Sequence, residues 1–413
     1  MSHIILKPDR DRDSIITQMQ HDASFDVADD DNACVPDFAS IRNDVKSKPN
    51  PPKVPKIFLS NNCVFNCAYC GCRAGNDEKL CYTNDPKEMA EIGMQSVKNG
   101  QSGIFLTSAI CKNADYTVEL IVDTIKKLRT IYDYRGYIHA KIMPGADPML
   151  IHQAGQYANR LSVNIEVAKS EGYSMIAKNK TRDNILTPMQ HISGMIQASK
   201  AEQSPYKPIF ATSQTTQIMA GAVGETDYEL LRLTNAMYRK YKLARVYYTS
   251  YKYNHLAKGY DALPPTVTPV WRMKRLYQAD RLMQLYGFSP AELLPEDAPN
   301  LVYDFDPKAA WVIKNIHKFP MEVNTAEYEE LLKIPGIGLV YAERILRARK
   351  YCTITHDVLR QLGVSLKRSR HFFTANGKFQ GVNLDDSMLV HNVLRAPLEE
   401  TMSVNVSNSI EDC

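Results

Sequence analysis

The sequence lacks the features of membrane, secreted and disordered proteins. No stretch approaches the run of about 18 apolar residues that a membrane-spanning helix needs, and the first residues lack the apolar core of a secretory signal. Of the 413 residues, 23% are charged and 44% are hydrophobic, which excludes disorder throughout the chain. We therefore expect a cytoplasmic protein of two or three globular domains with no membrane partner.

The sequence also lacks a strong net charge and a disulfide framework. The net charge is +4, which by itself indicates no polyanionic partner. Nine cysteines in a long chain from a reducing compartment do not match the cysteine framework of a small secreted domain. Five of them fall within residues 63–81, so the sequence favours a local inorganic site.

Strand-like and helix-like segments alternate through the middle of the chain. Six short β-like runs begin at residues 57, 103, 136, 160, 208 and 244, and helix-like windows such as 86–99 and 116–132 lie between them. Such alternation is typical of an α/β protein with a parallel sheet, and six strands predict a partial (β/α)6 barrel of the TIM type. Sites in this kind of fold lie where strands end and loops begin.

Composition predicts the domain organisation. Residues 1–55 are polar and proline-rich and are interpreted as an irregular N-terminal extension. Residues 56–290 form the predicted barrel core, and the prolines within 291–320 indicate a linker. Residues 321–380 are predicted to form a compact all-α module, followed by a C-terminal tail at 381–413.

The most informative motif is the CxxxCxxC spacing of Cys63, Cys67 and Cys70, directly after the first predicted strand. Three thiolates on one short loop can converge on one inorganic centre. Structural zinc takes four ligands, commonly from two separated pairs, and no second pair follows nearby. An iron-sulfur cube with three cysteine ligands instead leaves one iron open. Zinc remains an alternative, and the roles of Cys72 and Cys81 stay open.

This motif, with its aromatic Tyr69 and the strand before it, resembles the radical S-adenosylmethionine (SAM) superfamily. Two longer runs are more specific, GYIHAKIMPGADPMLIHQAGQYANRLSVNIEVA from residue 136 and TQIMAGAVGETDYELL from residue 216. They resemble the DNA modification and repair radical SAM proteins, and the resemblance extends over residues 21–379.

The resemblance implies the cofactors and the chemistry. It implies a 4Fe-4S cluster on the three cysteines, SAM, an external electron donor and a uracil-DNA glycosylase-like partner protein. In this family's chemistry the reduced cluster cleaves SAM to methionine and a 5'-deoxyadenosyl radical, which abstracts hydrogen from the substrate. The substrate atom and the product do not follow from the sequence, and no residue is assigned as catalytic.

The resemblance also indicates where SAM would bind. The superfamily often carries Gly-Gly-Glu after its second strand, whereas this chain has Leu-Thr-Ser-Ala at 106–109. Polar residues at 162, 164 and 166 alternate along the fourth predicted strand and are expected to face the barrel interior together. A glycine at 221 resembles the family's adenine-supporting motif, although an ordinary turn is the alternative. The candidate SAM-binding residues are Tyr69, Thr107, Ser108, Ser162, Asn164, Glu166 and Gly221.

Residues 331–345 resemble a helix-hairpin-helix, the second sequence motif with a predicted ligand. A helix is predicted to end near Ile334, Pro335 allows a tight reversal, and a second helix begins near Gly338 with unpaired N–H groups that suit a phosphate. Residues 344–378 contain nine Lys or Arg and one acidic residue. The predicted nucleic-acid contacts are Gly336, Ile337, Gly338, Arg344, Arg347, Lys367 and Arg368.

These observations predict a radical SAM enzyme that acts in DNA modification or repair and binds DNA without sequence preference. A base would reach a barrel interior only when flipped out of the duplex or single-stranded. Two other functions fit the same residues. The chain could be a non-catalytic iron-sulfur protein that binds nucleic acid or acts as a scaffold, or a radical SAM enzyme that acts on RNA.

Overall fold

The computed structural model describes residues 54, 56–76, 81–202, 210–251 and 268–396. These residues fall into two compact units. The first holds residues 54–225 and 232–268, and the second holds 226–231 and 269–396. The predicted N-terminal extension, apart from residue 54, and the last 17 residues of the predicted tail lie outside the described residues. No helix in the described part of the chain is long and apolar enough to cross a membrane.

The first unit is built on six parallel strands that pair in chain order, from β1 to β6. The strands are β1 Lys56–Phe58, β2 Gly103–Thr107, β3 Tyr137–Lys141, β4 Arg160–Ser162, β5 Ser213–Ala220 and β6 Arg245–Ser250. Their residues are mostly buried, as expected for parallel strands covered on both faces. This topology confirms the predicted α/β partial barrel.

Helices connect successive strands of this sheet. They are α1 Pro86–Lys98, α2 Ala114–Thr130, α3 Pro148–Tyr157, α4 Glu171–Ile176, α5 Arg182–Ala201 and α6 Asp227–Tyr241. Local sequence explains where they begin: Asp85 caps α1 by accepting from the Lys87 N–H, and Asn113 caps α2 by accepting from the Tyr116 N–H. The first two helices lie within two residues of their predicted windows.

The fourth strand is shorter than the sequence predicts. After Ser162 the backbone N–H groups of Ile165 and Glu166 both donate to the Gln217 carbonyl, at 3.1 and 3.0 Å. Two residues opposite one partner form a bulge, and Glu166 adopts a left-handed φ of +64° within it. The expectation of one continuous strand from 162 to 166 is therefore wrong, because β4 ends at Ser162 and a bulge follows it, although Asn164 and Glu166 still line one cavity.

The second unit is mainly helical. Its helices are α7 Val270–Leu285, α8 Pro290–Leu293, α9 Pro307–Lys314, α10 Tyr328–Lys333, α11 Leu339–Ala348, α12 His356–Gln361, α13 Leu366–Ser369 and α14 Ser387–Leu394. Pro307, one of the prolines that indicated a linker, and Pro290, just before that segment, each occupy the first turn of a helix, where a missing N–H costs nothing. Helix α14 lies in the segment interpreted as a tail, and its Val390 and Leu394 are buried.

A small sheet accompanies these helices. Strands β7 Met321–Glu322, β8 Phe373–Ala375 and β9 Lys378–Phe379 pair in that order, β7 with β8 in parallel and β8 with β9 antiparallel. The expectation of an all-α module is wrong in this respect. Strands of two or three residues are too short to show the period-two pattern by which a strand is recognised in a sequence.

Candidate functional site

The three motif cysteines line one cavity in the first unit. The cavity, of about 110 Å³, lies where strands β1 to β4 end, which is the usual position of sites in parallel α/β folds. Cys63, Cys67 and Cys70 are free thiols, and Cys67 is buried. The other polar residues of the wall are Tyr69, Cys72, Thr107, Ser108, Lys141, Asn164, Glu166, Lys180 and Gln217.

Backbone hydrogen bonds hold the cysteine loop against the rest of the unit. Val64 donates its N–H to the Ile110 carbonyl after β2, and Ala68 donates to the Ile176 carbonyl at the end of α4, both at 2.8 Å. The loop is therefore held on two sides, by the segment after β2 and by the end of α4, which fixes the position of the thiols.

The thiols differ in how readily they ionise. Burial raises the pKa of Cys67 to about 12 and also raises that of Cys63. Hydrogen bonding from the Cys72 thiol lowers the pKa of Cys70 to about 7, and the Cys72 N–H contributes in the same direction. The three thiols line the cavity wall, and within the described ranges no three His, Cys, Asp or Glu side chains are grouped so that they could hold a single metal ion.

A buried ion pair lies opposite the cysteines. Lys180 Nζ donates to Glu166 Oε1 at 2.7 Å and to the Tyr69 hydroxyl at 3.1 Å. Burial by itself lowers the pKa of Lys180, but the Glu166 carboxylate outweighs it and the pKa is raised. Burial first and then Glu166 raise the pKa of Tyr69 well above 10. Lys180 is therefore charged at neutral pH, and Tyr69 is a neutral phenol.

The structure brings most of the predicted SAM-binding residues to this cavity. Thr107, Ser108 and Asn164 are buried and line it together with Tyr69 and Glu166. Ser162 does not belong to the wall. Its hydroxyl lies 2.9 Å from His139 Nε2, and that imidazole stacks on Phe105 with ring centroids 4.1 Å apart. Ser162 therefore serves as a hydrogen-bond partner of the buried His139 imidazole.

Gly221 forms a tight turn after β5. Its φ is +91°, and a Cβ there would collide with the Thr268 hydroxyl, so glycine is required. The Gly221 N–H donates to the Glu225 carboxylate, which also accepts from the Val223 N–H at 3.1 Å. The Glu225 carboxylate thus stabilises the turn by accepting two of its backbone N–H groups.

In the second unit, helices α10 and α11 flank a turn at residues 334–338, as the sequence predicts. Gly336 has a left-handed φ of +84°. The Ile337 N–H donates to the Ile334 carbonyl, and the Ile337 carbonyl accepts from Lys308 Nζ at 2.8 Å. Gly338 is the N-cap of α11, and no side chain of the described residues caps that helix. The N–H of Ile337 is therefore used within the turn, whereas the start of α11 faces a groove of about 870 Å³.

The four predicted basic contacts fall into two classes. Arg344 donates to the Leu362 carbonyl at 2.9 Å, and Arg368 bonds Asp306 at 2.9 Å and the Leu394 carbonyl at 2.8 Å. These two arginines hold parts of the unit together. Arg347 and Lys367 are exposed, and Arg347 lies 3.6 Å from the Glu343 carboxylate one turn earlier on α11.

Some polar residues of the wall, among them Lys180 and Gln217, are not predicted from the sequence. Lys180 lies in a loop between α4 and α5 with no periodic pattern around it. Gln217 lies within β5 and supplies the carbonyl of the bulge. The one available signal for Lys180 was the unpaired acid at Glu166, since a buried carboxylate needs a partner.

No protein-family model and no curated protein matches the chain. Similar solved structures include the FeFe-hydrogenase maturase HydG from Carboxydothermus hydrogenoformans, 16% identical with a TM-score of 0.43, covering 55% of this chain and 50% of that one. Methylornithine synthase (PylB) is 16% identical with a TM-score of 0.41, covering 55% and 61%. Coproporphyrinogen III oxidase (HemN) from Escherichia coli, a radical SAM enzyme, is 15% identical with a TM-score of 0.33, covering 57% and 53%. The chain thus covers about half to three fifths of these proteins.

Proposed function

We propose that this chain is a radical SAM enzyme that acts in DNA modification or repair. The observation that carries the proposal is the meeting of three CxxxCxxC thiols with Asn164 and Glu166 around one cavity at the carboxyl ends of parallel strands. The first unit supplies the cofactor site. The second unit, with its turn and exposed cations, supplies nucleic-acid binding.

The donor set fits a 4Fe-4S cluster. Each thiolate of such a cluster binds a different iron, so three ligands need to surround one cavity, as Cys63, Cys67 and Cys70 do. With three cysteine ligands one iron stays open for SAM. When both were bound, the cluster and SAM would supply one-electron chemistry. The stable product formed from SAM would be 5'-deoxyadenosine.

The chain's own residues supply the contacts that the methionine end of SAM requires. The Lys180 ammonium suits a carboxylate, and the oxygens of Glu166, Asn164, Thr107 and Ser108 suit an ammonium or hydroxyl groups. The cavity is smaller than the roughly 300 Å³ of the smallest usual ligand pockets. We therefore infer that SAM extends beyond it, with its adenine near the Gly221 turn.

Iron binding tests the cluster part of the proposal. The chain, reconstituted anaerobically with iron and sulfide, is expected to bind about four irons, and the triple variant Cys63→Ala/Cys67→Ala/Cys70→Ala to bind none. Cys81→Ala is the matched control, because this exposed cysteine lies close in sequence but outside the cavity wall. Full iron content in the triple variant would contradict the assignment.

SAM binding tests the second part. Asn164→Ala and Glu166→Ala are expected to weaken SAM binding in equilibrium dialysis while the iron content stays at the wild-type level. Ser162→Ala is the control, because Ser162 bonds His139 outside the cavity wall. Equal loss of affinity in the control would place SAM elsewhere.

DNA binding is proposed for the second unit. The uncapped start of α11 and the exposed Arg347 and Lys367 support a contact with the phosphate backbone. Affinity for DNA of unrelated sequences is expected to be equal and to fall as salt rises. Preference for RNA would favour the RNA-directed enzyme, and iron and DNA binding without SAM cleavage would favour the non-catalytic protein.

A further inference from the structure

The residues that follow the cysteine motif fold back onto its middle. Asn66 lies within the motif, and its side-chain oxygen accepts from Arg73 Nε at 2.8 Å and from the Gly75 N–H at 3.2 Å. An amide oxygen has two lone pairs, so it can accept from both donors at once. Cys67 and Cys70 lie between Asn66 and Arg73 in the sequence, so the loop that carries these two thiols is closed at its base.

Three further observations show that this closure is built into the packing. Arg73 is only 2% exposed, and an arginine is almost never buried to this extent unless it is paired. A Cβ at position 75 would lie 2.9 Å from Arg73 Nη2 and 3.0 Å from Asn66 Oδ1, so glycine allows the chain to approach this closely. Ala74 donates its backbone N–H to the Phe65 carbonyl at 2.9 Å, which joins the same two segments a second time. Because little water competes for the donors of a buried guanidinium, its hydrogen bond to Asn66 holds its geometry.

We infer that Asn66 and Arg73 are positioning residues for the cluster: their hydrogen bond closes the loop that carries Cys67 and Cys70 and slows the loss of iron from the site. The inference rests on the proposed function, because it needs a cluster held by these cysteines. Removal of a partner that orients metal ligands typically lowers metal affinity by about 10–100-fold. Neither side chain belongs to the cavity wall, so both act through the cysteines and not as iron ligands.

The rate at which the reconstituted full-length chain loses iron to a ferrous chelator tests the inference. The absorbance of the iron–chelator complex follows the loss under anaerobic conditions. Asn66→Ala removes the acceptor of Arg73 and is expected to shorten the half-life of the bound iron about tenfold or more. Asn66→Asp keeps an acceptor oxygen at the same place and is expected to restore a half-life close to that of the wild type. Asn62→Ala is the matched control, because Asn62 is an exposed asparagine that precedes the motif and lies outside the closed loop.

Arg73→Met tests the other partner, since it keeps the apolar part of the side chain and removes the guanidinium donors. It is expected to lose iron faster than the wild type, and it carries the test if Asn66→Ala does not fold. Urea unfolding of the cofactor-free chain shows beforehand which variants are folded.

An unchanged half-life in folded Asn66→Ala or Arg73→Met would overturn the inference. A half-life shortened as much in Asn66→Asp as in Asn66→Ala would overturn it too, because the acceptor oxygen would then not be the group that matters. The iron content of the wild type is measured first. A wild-type chain without iron contradicts the proposed function itself, whereas a wild-type chain with about four irons leaves only the role of Asn66 and Arg73 under test.

Discussion

The Lys180 ammonium lies 2.7 Å from the Glu166 carboxylate in the wall of the cysteine-lined cavity, with side chains 11% and 5% exposed. A buried ion pair contributes little net stability compared with apolar residues, but either partner alone is strongly unfavourable. Glu166 also has a left-handed backbone, which is uncommon for a residue other than glycine. Strain and buried charge together at one place are typical of a functional site.

The Glu166–Lys180 pair predicts a coupled loss of stability. Lys180→Met leaves the Glu166 carboxylate buried without its cation and is expected to lower the free energy of unfolding by about 3–5 kcal/mol. Glu166→Gln is expected to cost a similar amount. The double variant should lose clearly less than the sum, because no charge then stays buried alone. The measurement is urea unfolding of the cofactor-free chain by circular dichroism. Additive losses would show that the two groups do not pair.

The two glycines of the turn after β5 are expected to differ in how much an added methyl group lowers stability. Gly224 has a φ of +69° with open space around it, so Gly224→Ala is expected to cost about 1–2 kcal/mol. Gly221→Ala carries the same backbone penalty and must also displace Thr268, whose hydroxyl donates to the Ala220 carbonyl at 2.8 Å. It should therefore cost at least about 1 kcal/mol more. Equal losses of unfolding free energy would mean that Thr268 moves aside freely.

The Glu322 carboxylate predicts that the stability of the second unit depends on pH. Burial alone would raise its pKa, but hydrogen bonds from the Gly377 N–H at 3.0 Å and from Asn324 lower it to about 2. A carboxylate with a lowered pKa stabilises the fold above its ordinary value of 4.5 and loses this effect as pH falls through 2. Glu322→Gln should therefore be less stable than the wild type at pH 7, and the gap should shrink between pH 4.5 and pH 2.

Tryptophan fluorescence follows this unfolding, because the chain's two tryptophans, Trp271 and Trp311, both lie in the second unit. Glu329→Gln is the control, since Glu329 is exposed on α10. Its stability is expected to follow the wild type across the same pH range. If the difference in stability between Glu322→Gln and the wild type does not vary with pH, ionisation of the Glu322 carboxylate is not its cause.

The basic residues of the second unit predict separate effects on folding and on binding. Arg347→Ala and Lys367→Ala should leave stability unchanged and reduce the slope of log affinity against log salt by up to about 0.9 each. Arg344→Ala and Arg368→Ala should each lower the free energy of unfolding by about 1 kcal/mol or more, because each removes hydrogen bonds to part-buried acceptors. Thermal unfolding and DNA titrations at several salt concentrations measure the two effects. A full salt slope in the Arg347→Ala/Lys367→Ala double variant would contradict the proposed surface.

The sequence predicts the sheet and the position of the cysteines well, for a physical reason. Parallel strands such as β2 are buried on both faces and appear as apolar runs between helices, so both their number and their order can be inferred. Residues that follow such strands meet at one edge of the sheet, which is why the cysteine loop, Thr107 and Asn164 reach one cavity.

What the sequence does not predict depends on contacts between distant residues. Lys180 is 111 residues from Tyr69, and no local pattern signals that they meet. The bulge at Glu166 depends on the Gln217 carbonyl of the next strand, so the sequence alone does not show that β4 ends at Ser162. Likewise, Arg344 and Arg368 stabilise the second unit through acceptors that are distant in sequence. These acceptors are the Leu362 and Leu394 carbonyls and the Asp306 carboxylate.

Formation of 5'-deoxyadenosine is the most direct test of the account. The reconstituted chain is incubated anaerobically with dithionite and SAM, and the products are measured by mass spectrometry. We expect 5'-deoxyadenosine from the wild type and from Cys81→Ala, and none from Cys70→Ala. A wild-type chain that holds four irons yet leaves SAM intact, or that yields only S-adenosylhomocysteine, would contradict the radical SAM assignment.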